Sequence, residues 1–458
     1  MDGKDFAPSD VAAIAALNRA GAFEEAEALA YARLRALPFE VGIALEYALA
    51  CARQLAFDKT AETALRILHR TDANLNQRVL ATRRLCIALA NLGLPDEARP
   101  FIARLALESS PHCADRCWPG RLLMEIGATE EALTRFGEVA AAFPGHIFVR
   151  YCLGNARLSL GDSAGFVDAL QFSSKAFWRS YYPEAAHIER MWEGEPLDGK
   201  TIAIVQHGGF GDYFQFVRYA PALRQLGARE VIAIAPDRFH GLLRSAGVDR
   251  VDALDQRLSH DYWVGTYGLE RMRLSGAAQG ASGYLKAPRC DHIDGRLVTI
   301  RQAAGDRPCV GLYWHSDADG GEAKSVPLHS LLPLLSITSV HWVILQQGFG
   351  LRRLQASGLD QPESVIGEGL TFDQTGALIA GLDGLVSICA WPSHLGGALG
   401  IRTWLLAGRV MHARHENRER ESVVYPGTVT IARQPTCGDW PGAVRVLVRE
   451  IDQWLRAR

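Results

Sequence analysis

Gly93, Gly127 and Gly161 stand 34 residues apart, and Gly21 lies 72 residues before the first of them. A period of this length constrains the fold strongly, because each unit is too small to bury its own apolar face and must stack on its neighbours. The longer interval leaves room for one degenerate unit centred near Ala56. Each glycine ends one helical stretch and precedes another. Phe23-Glu-Glu-Ala26-Glu-Ala-Leu29 follows Gly21 and leads to Pro38; Glu130-Glu-Ala132-Leu133 follows Gly127 and leads to Pro144; Glu97-Ala98 follows Gly93 and leads to Pro111. Small residues let paired helices cross closely, and proline stops the second helix of each pair. Composition divides along the same line. Residues 1–190 hold 38 Ala and 11 Gly, whereas residues 191–458 hold 26 Ala and 33 Gly. Alanine is the best helix former and glycine nearly the worst, so the first half reads as helical. The second half, with short β-branched runs between glycines, reads as α/β. Turn residues cluster between Trp192 and Lys200, which places the boundary there.

The helix-turn-helix period resembles the tetratricopeptide repeat, which implies an N-terminal α-solenoid over about 1–190 with a groove for a peptide or protein. A generic Ala-rich helical bundle is the alternative. After the boundary, Thr201-Ile-Ala-Ile-Val205 reads as a strand and His207-Gly-Gly-Phe-Gly-Asp212 as a glycine loop. Tyr213 to Leu226 reads as a helix and Glu230 to Ala235 as the next strand. Strand, glycine loop and helix start are the geometry in which backbone N–H groups receive an anion. A dinucleotide fingerprint needs a further glycine where Phe214 stands, and Asp237 follows Pro236 instead of closing the second strand, so a nicotinamide dehydrogenase is disfavoured. A second alternating set comprises strands at 309–314, 340–345, 384–389 and 403–406, helices at 328–335 and 373–382, and a closing helix from Gly442 to Leu455. Two Rossmann-like domains, 191–305 and 306–458, then follow the solenoid, with the cleft between them as the expected ligand site.

Several function classes fall away on composition. The 49 basic and 51 acidic side chains give a net charge of −2, which provides no general field for a nucleic acid. No apolar run approaches the length of a membrane span, and the opening MDGKDFAPSD has no signal-peptide character. Nine scattered cysteines form no disulfide framework, so reduced thiols and a cytoplasmic location are expected. Cys113 and Cys117 beside His112 have a metal-ligand spacing but lack a second matching pair, and no metal site is expected.

The ordered motifs carry a resemblance. Trp192-x-Gly-x-Pro-Leu-x-Gly-Lys200 precedes Gly209-Phe-Gly211-Asp212-x-x-Gln215-Phe-x-Arg218-Tyr. Later come Gly311-Leu-x-Trp314-x-Ser316, Lys324-Ser-Val-Pro-Leu328, Ser393-His394-Leu-x-Gly397-Ala-Leu-Gly400 and Cys437-Gly-Asp-Trp440. From about 192 to the end this set resembles the catalytic half of bacterial tetratricopeptide-repeat glycosyltransferases. Those are similar to the heptosyltransferases (glycosyltransferase family 9) and, more distantly, to O-GlcNAc transferase. The resemblance implies a GT-B pair of Rossmann-like domains, the acceptor side first and the nucleotide-sugar side second. It also implies metal-independent transfer from a nucleotide-sugar donor with no cofactor. The acceptor it implies is a protein hydroxyl, on flagellin or another surface protein, recruited by the solenoid. Asp212 takes the place of the general base, and a carboxylate there suits proton removal from an acceptor hydroxyl. Gly209 and Gly211 give close approach, and Lys324 matches a position that neutralises the donor diphosphate. Ser393, His394 and Gly397 open a helix suited to phosphate, while His315 and Ser316 are expected to face the same cleft.

Each assignment has a plainer counterpart. Asp212 suits a helix N-cap, Lys324 a solvated loop, and His394 a packed histidine. Cys389 and Ala390 replace the Asp-Thr pair of such enzymes, removing polar contacts to the donor. That departure motivates a second reading, a non-catalytic scaffold; a third, transfer to lipid or polysaccharide, lacks an obvious acceptor face. Cys389 itself reads as a small residue at a strand end. The interleaved charges from Arg414 to Glu421 read as a solvated loop or, alternatively, an acceptor-binding lip.

Overall fold

The computed structural model describes residues 8–36, 38–107, 112–162, 164–181, 187–206, 208–253, 260–274, 282–318, 320–359, 364–366, 369–411 and 420–458. His207 and most of the charged stretch 414–421 lie outside the described residues.

No strand precedes Thr201 among the described residues. The helices run α1 (Pro8–Arg19), α2 (Phe23–Ala36), α3 (Val41–Arg53), α4 (Phe57–Leu68), α5 (Leu75–Asn91), α6 (Arg99–Ala106), α7 (Cys113–Glu125), α8 (Thr129–Ala142), α9 (Ile147–Ser159), α10 (Gly165–Ala169) and α11 (Lys175–Tyr181). Neighbours in sequence pack on one another, as a solenoid requires.

The glycine period has a single physical cause. After α1, α3, α5, α7 and α9, the N–H groups of Ala22, Ala56, Leu94, Ala128 and Asp162 donate to the carbonyls of Leu17, Cys51, Leu89, Leu123 and Arg157 at 2.8–3.0 Å. This is the Schellman closure, and it needs a left-handed residue just before the donor. Gly21, Gly93, Gly127 and Gly161 supply it with φ between 75 and 84°. In the degenerate unit Leu55 adopts φ 61° in their place. The turn geometry survives there without glycine, at a cost of roughly 1–2 kcal/mol.

The second half contains two parallel sheets. The first includes β1 (Thr201–Val205), β2 (Glu230–Ile234), β3 (Arg250–Asp252) and β4 (Tyr262–Gly265), in the order β3-β2-β1-β4. Its helices are α12 (Phe210–Phe216), α13 (Ala220–Gln225), α14 (His240–Arg244) and α15 (Arg271–Leu274); α16 (Asp291–Ala304) leads to the second sheet. There β5 (Cys309–Tyr313), β6 (His341–Ile344), β7 (Ser364–Val365), β8 (Gly384–Ile388), β9 (Thr403–Ala407) and β10 (Val429–Arg433) order as β10-β9-β8-β5-β6-β7. They are accompanied by α17 (Leu332–Leu335), α18 (Gly348–Ala356), α19 (Phe372–Ala380), α20 (Trp391–Leu399) and α21 (Trp440–Arg456). All strand pairs are parallel, and the central strands β8 and β9 are buried along their whole length because both faces are covered. The fold is therefore a tetratricopeptide-like α-solenoid followed by two Rossmann-like α/β units.

The two α/β units share one apolar core, in which Phe214, Phe239 and Leu243 of the first meet Leu378, Leu395 and Leu405 of the second. Phe239 stacks on Phe372 at 4.3 Å. Asp373 of α19 accepts the N–H groups of Gly241 and Leu242 at the start of α14, both at 2.8 Å. The boundary expected as a cleft is thus closed along this stretch by aromatic packing. The reason is side-chain volume: Phe210, Phe239, Phe372 and Trp391 fill the space between the helices.

The solenoid rests its turns on the second unit. Arg352 donates to the carbonyl of Gly21 at 2.9 Å, and Gly127 lies against Val410 and Cys437. Arg53 and Arg84 reach Glu322 at 3.0 and 3.1 Å. Gly438, at φ 79°, meets the Asn91 backbone so closely that a Cβ would sit 2.5 Å from its carbonyl oxygen. No helix among the described residues is long and apolar enough to cross a membrane.

Candidate functional site

In each sheet the strand order reverses beside the first strand, between β1 and β4 in one and between β5 and β8 in the other. Ligands of open α/β sheets collect outside the strand ends at such switch points. Val205 and Gly265 are register partners at the end of the first. The chain leaving β1 forms the glycine loop and α12, and the chain leaving β4 forms the turn Thr266–Glu270.

Asp212 is the third residue of α12 and not its N-cap, a position held by Gly209. Its Oδ2 reaches back to accept the Gly209 N–H at 2.8 Å and also accepts the Tyr267 hydroxyl at 3.0 Å. Gly211 lies against α20 so tightly that a Cβ would be 2.6 Å from His394 Cδ2 and 3.3 Å from Trp391 Cα. The glycine loop of one unit and the first turn of α20 of the other are therefore in contact, which brings Gly209, Gly211, Asp212, Ser393 and His394 into one neighbourhood.

Within that turn the polar groups are partly committed. Ser393 Oγ donates to the Ala390 carbonyl at 2.8 Å, and the side chain is almost fully buried. His394 Nδ1 meets Tyr425 Oη at 3.1 Å. Burial pushes the Tyr425 phenol well up from its usual range, with Tyr284 and Asp212 adding to the shift and Arg218 opposing it. Tyr425 thus stays a neutral phenol near neutral pH. Gly397 lies further along α20, where a Cβ would be 2.5 Å from the Tyr425 ring, so it serves that packing. Cys389 is half-buried and Ala390 buried, and Ala390 caps α20 without a side-chain hydrogen bond.

His315 and Ser316 do not face this neighbourhood as expected. His315 is 3% exposed; its Nδ1 pairs with Asp317 at 3.0 Å and its Nε2 meets the Arg53 carbonyl of the solenoid at 3.1 Å. The ring is turned away because the solenoid claims it. Ser316 is buried too, its N–H donating to Ser325 Oγ at 3.0 Å. Burial works against ionisation of Asp317, yet hydrogen bonds from His315 and the Phe349 N–H hold its carboxyl below the ordinary value. Lys324 follows the short turn Gly321–Ala323 and is half-buried; among the described residues no acceptor reaches its ammonium. Also among the described residues, no group of three or more His, Cys, Asp or Glu could hold a metal ion.

Tyr267 and Tyr425 had no motif to announce them. The one available signal for Tyr267 was the short strand Tyr262-Trp-Val-Gly265, whose end lies beside that of β1.

No family model matches the chain, and no curated protein matches it. Among solved structures it is similar to a glycosyltransferase family 9 protein from Veillonella parvula DSM 2008, with 10% identity and a TM-score of 0.42 over 58% of this chain and 100% of that one. It is also similar to TibC, an iron-containing dodecameric glycosyltransferase from enterotoxigenic E. coli H10407, with 11% identity and a TM-score of 0.39 over 57% of this chain and 78% of that one. YrrB, a TPR protein with an unusual peptide-binding site, matches with 17% identity and a TM-score of 0.27 over 40% of this chain and 92% of that one.

Proposed function

We propose that the chain is a glycosyltransferase that moves a sugar from a nucleotide-sugar donor to a hydroxyl of a protein recruited by the solenoid. The observation that carries this reading is the contact between the Asp212 loop and the first turn of α20. It joins a carboxylate able to take a proton to a helix start able to receive phosphate, each beside the switch point of its own sheet. In this reading Asp212 is the base. The leaving diphosphate is neutralised by Lys324 and by the α20 N-terminus, with His394 nearby. His315 is left out of the donor site because both of its ring nitrogens are spent within the protein.

The test is transfer itself. Candidate acceptor proteins are incubated with UDP-, GDP-, ADP-, dTDP- and CMP-linked sugars and their intact masses read. Asp212→Asn is expected to lower the transfer rate by roughly 10²–10⁴-fold, as loss of a general base does. A variant as fast as wild type removes Asp212 from the mechanism.

A second reading, a scaffold without catalysis, is favoured by one specific observation. Trp391 and His394 press directly on Gly211, where the donor would enter, while Cys389 and Ala390 supply neither a carboxylate nor a hydroxyl. Thermal stabilisation by an intact sugar nucleotide above that by its bare nucleotide rules the scaffold out.

A further inference from the structure

Tyr267 arrives at Asp212 because of topology. β4 lies beside β1 in parallel register, with Gly265 opposite Val205, so the chain two residues past β4 stands over the loop that follows β1. The turn Thr266–Glu270 is anchored by Thr266 and Leu269, both fully buried. The Tyr267 ring is held edge-on by Phe216, 6.0 Å away at the end of α12, and by Phe172, 6.4 Å away in the solenoid turn Leu170–Ser173 between α10 and α11. Its hydroxyl donates to the same Asp212 oxygen that takes the Gly209 N–H. Gly208 makes room for the pair: at φ 93°, a Cβ there would strike Tyr267 Oη and lie 2.7 Å from Asp212 Oδ2.

We propose that Tyr267 is the positioning residue of the Asp212 carboxylate, and that the solenoid turn between α10 and α11, through Phe172, holds Tyr267 in place. This rests on the reading of Asp212 as the base of a glycosyl transfer. In that step the acceptor hydroxyl oxygen bonds to the anomeric carbon. The bond from that carbon to the phosphate oxygen breaks, and its electron pair leaves with the nucleoside diphosphate. The hydroxyl proton passes to the Asp212 carboxylate. Two donors on one oxygen fix the carboxylate rotamer and favour its charged form, which is the form that can take the proton. A phenol is suited to this task because it donates while remaining neutral, so it brings no competing charge to the leaving diphosphate. The solenoid thereby contributes to the chemistry and does more than recruit the acceptor.

The test is Tyr267→Phe in the full chain, which keeps the ring packing and removes only the hydroxyl. Circular dichroism is expected to match wild type. The kcat is expected to fall about tenfold with donor KM unchanged, and the acid limb of the pH–rate profile to move up by about one pH unit. In ¹³C-aspartate-labelled protein, with the Asp212 signal assigned by its absence in Asp212→Asn, the titration midpoint is expected to rise by the same amount. An unmoved midpoint overturns the proposal, and so does a moved midpoint with an unchanged rate and profile. If wild type transfers no sugar from any donor, the transferase reading falls, while the midpoint still decides whether Tyr267 sets the Asp212 carboxylate. Phe172→Ala separates the solenoid's share: a rate and midpoint equal to wild type remove it from the site.

Discussion

Toward the solenoid, the second α/β unit presents mainly ions and backbone, with Glu322 between Arg53 and Arg84, His315 on the Arg53 carbonyl and Gly438 against Asn91, and with Phe349 on Phe23 as an apolar exception. Toward the first α/β unit it presents mainly carbon, with Phe372, Leu378 and Leu395 continuing the core of Phe214 and Phe239 and the Asp373 carboxylate on the Gly241 and Leu242 N–H groups as a polar exception. The two boundaries obey different rules. Apolar burial scales with area and tolerates rearrangement, so that boundary joins two domains without specifying much about residue identity. A buried charge is costly when its partner is absent, so the solenoid boundary is selective about which side chains and which turn geometry it accepts. A repeat array has no intrinsic place to stop or dock, and these polar contacts supply one.

The largest expected effect comes from breaking that selectivity at its centre. Glu322 is fully buried, and Glu322→Ala leaves a buried arginine, Arg53, and a half-buried one, Arg84, facing each other. The cost is expected to be about 3–5 kcal/mol in urea unfolding. A loss below about 1 kcal/mol, the range of exposed pairs, would mean that water reaches the arginines and that the boundary is no more selective than a surface.

A docked and an undocked turn sharpen the comparison further. Gly438 and Gly161 share nearly the same φ, 79 and 83°, but a methyl group placed on Gly161 would have nothing within 4 Å, whereas Gly438 faces the Asn91 backbone. Gly161→Ala should cost roughly 1–2 kcal/mol from backbone conformation alone. Gly438→Ala adds a clash and should cost roughly 2–4 kcal/mol. Equal losses in thermal unfolding would show that the turn, and not the docking, makes the demand.

The smallest effect is a pH dependence. Asp317 titrates below its ordinary value of 3.8 in the folded chain, so its contribution is present above that value and is lost as pH falls through the lower folded one. Asp317→Asn should therefore flatten the acid limb of stability below about pH 4 and lower stability slightly at neutral pH. An acid limb identical to wild type would remove the Asp317–His315–Arg53 chain from the boundary's energetics.

The solenoid was legible because its signal is local and repeated. Five turns obey one hydrogen-bond rule, and four of the five carry the glycine that the rule favours. Counting placed a degenerate unit near Ala56, but nothing in a leucine announces φ 61° at Leu55. Strands β1, β2, β5, β6, β8 and β9 were visible as apolar β-branched runs. β7, only two residues long, and β3, carrying Arg250 and Asp252, offered no such run, and β4 and β10 also went unread. At the site, Asp212, Ser393 and His394 were named from motif order. Tyr267 and Tyr425 were not, because a tyrosine outside a motif looks the same whether it packs or holds a carboxylate.

The sequence by itself determined the helical repeats, their turns, the two α/β units and the carboxylate beside a glycine loop. These follow from propensity, periodicity and backbone stereochemistry acting over a few residues. Only the tertiary structure decided which groups became partners. It turned His315 to the solenoid, set Tyr267 on Asp212 and closed one stretch of the expected cleft with four aromatic rings. Those outcomes join residues as far apart as Arg53 and His315, and they depend on hydrogen-bond geometry and excluded volume between elements that share no local pattern.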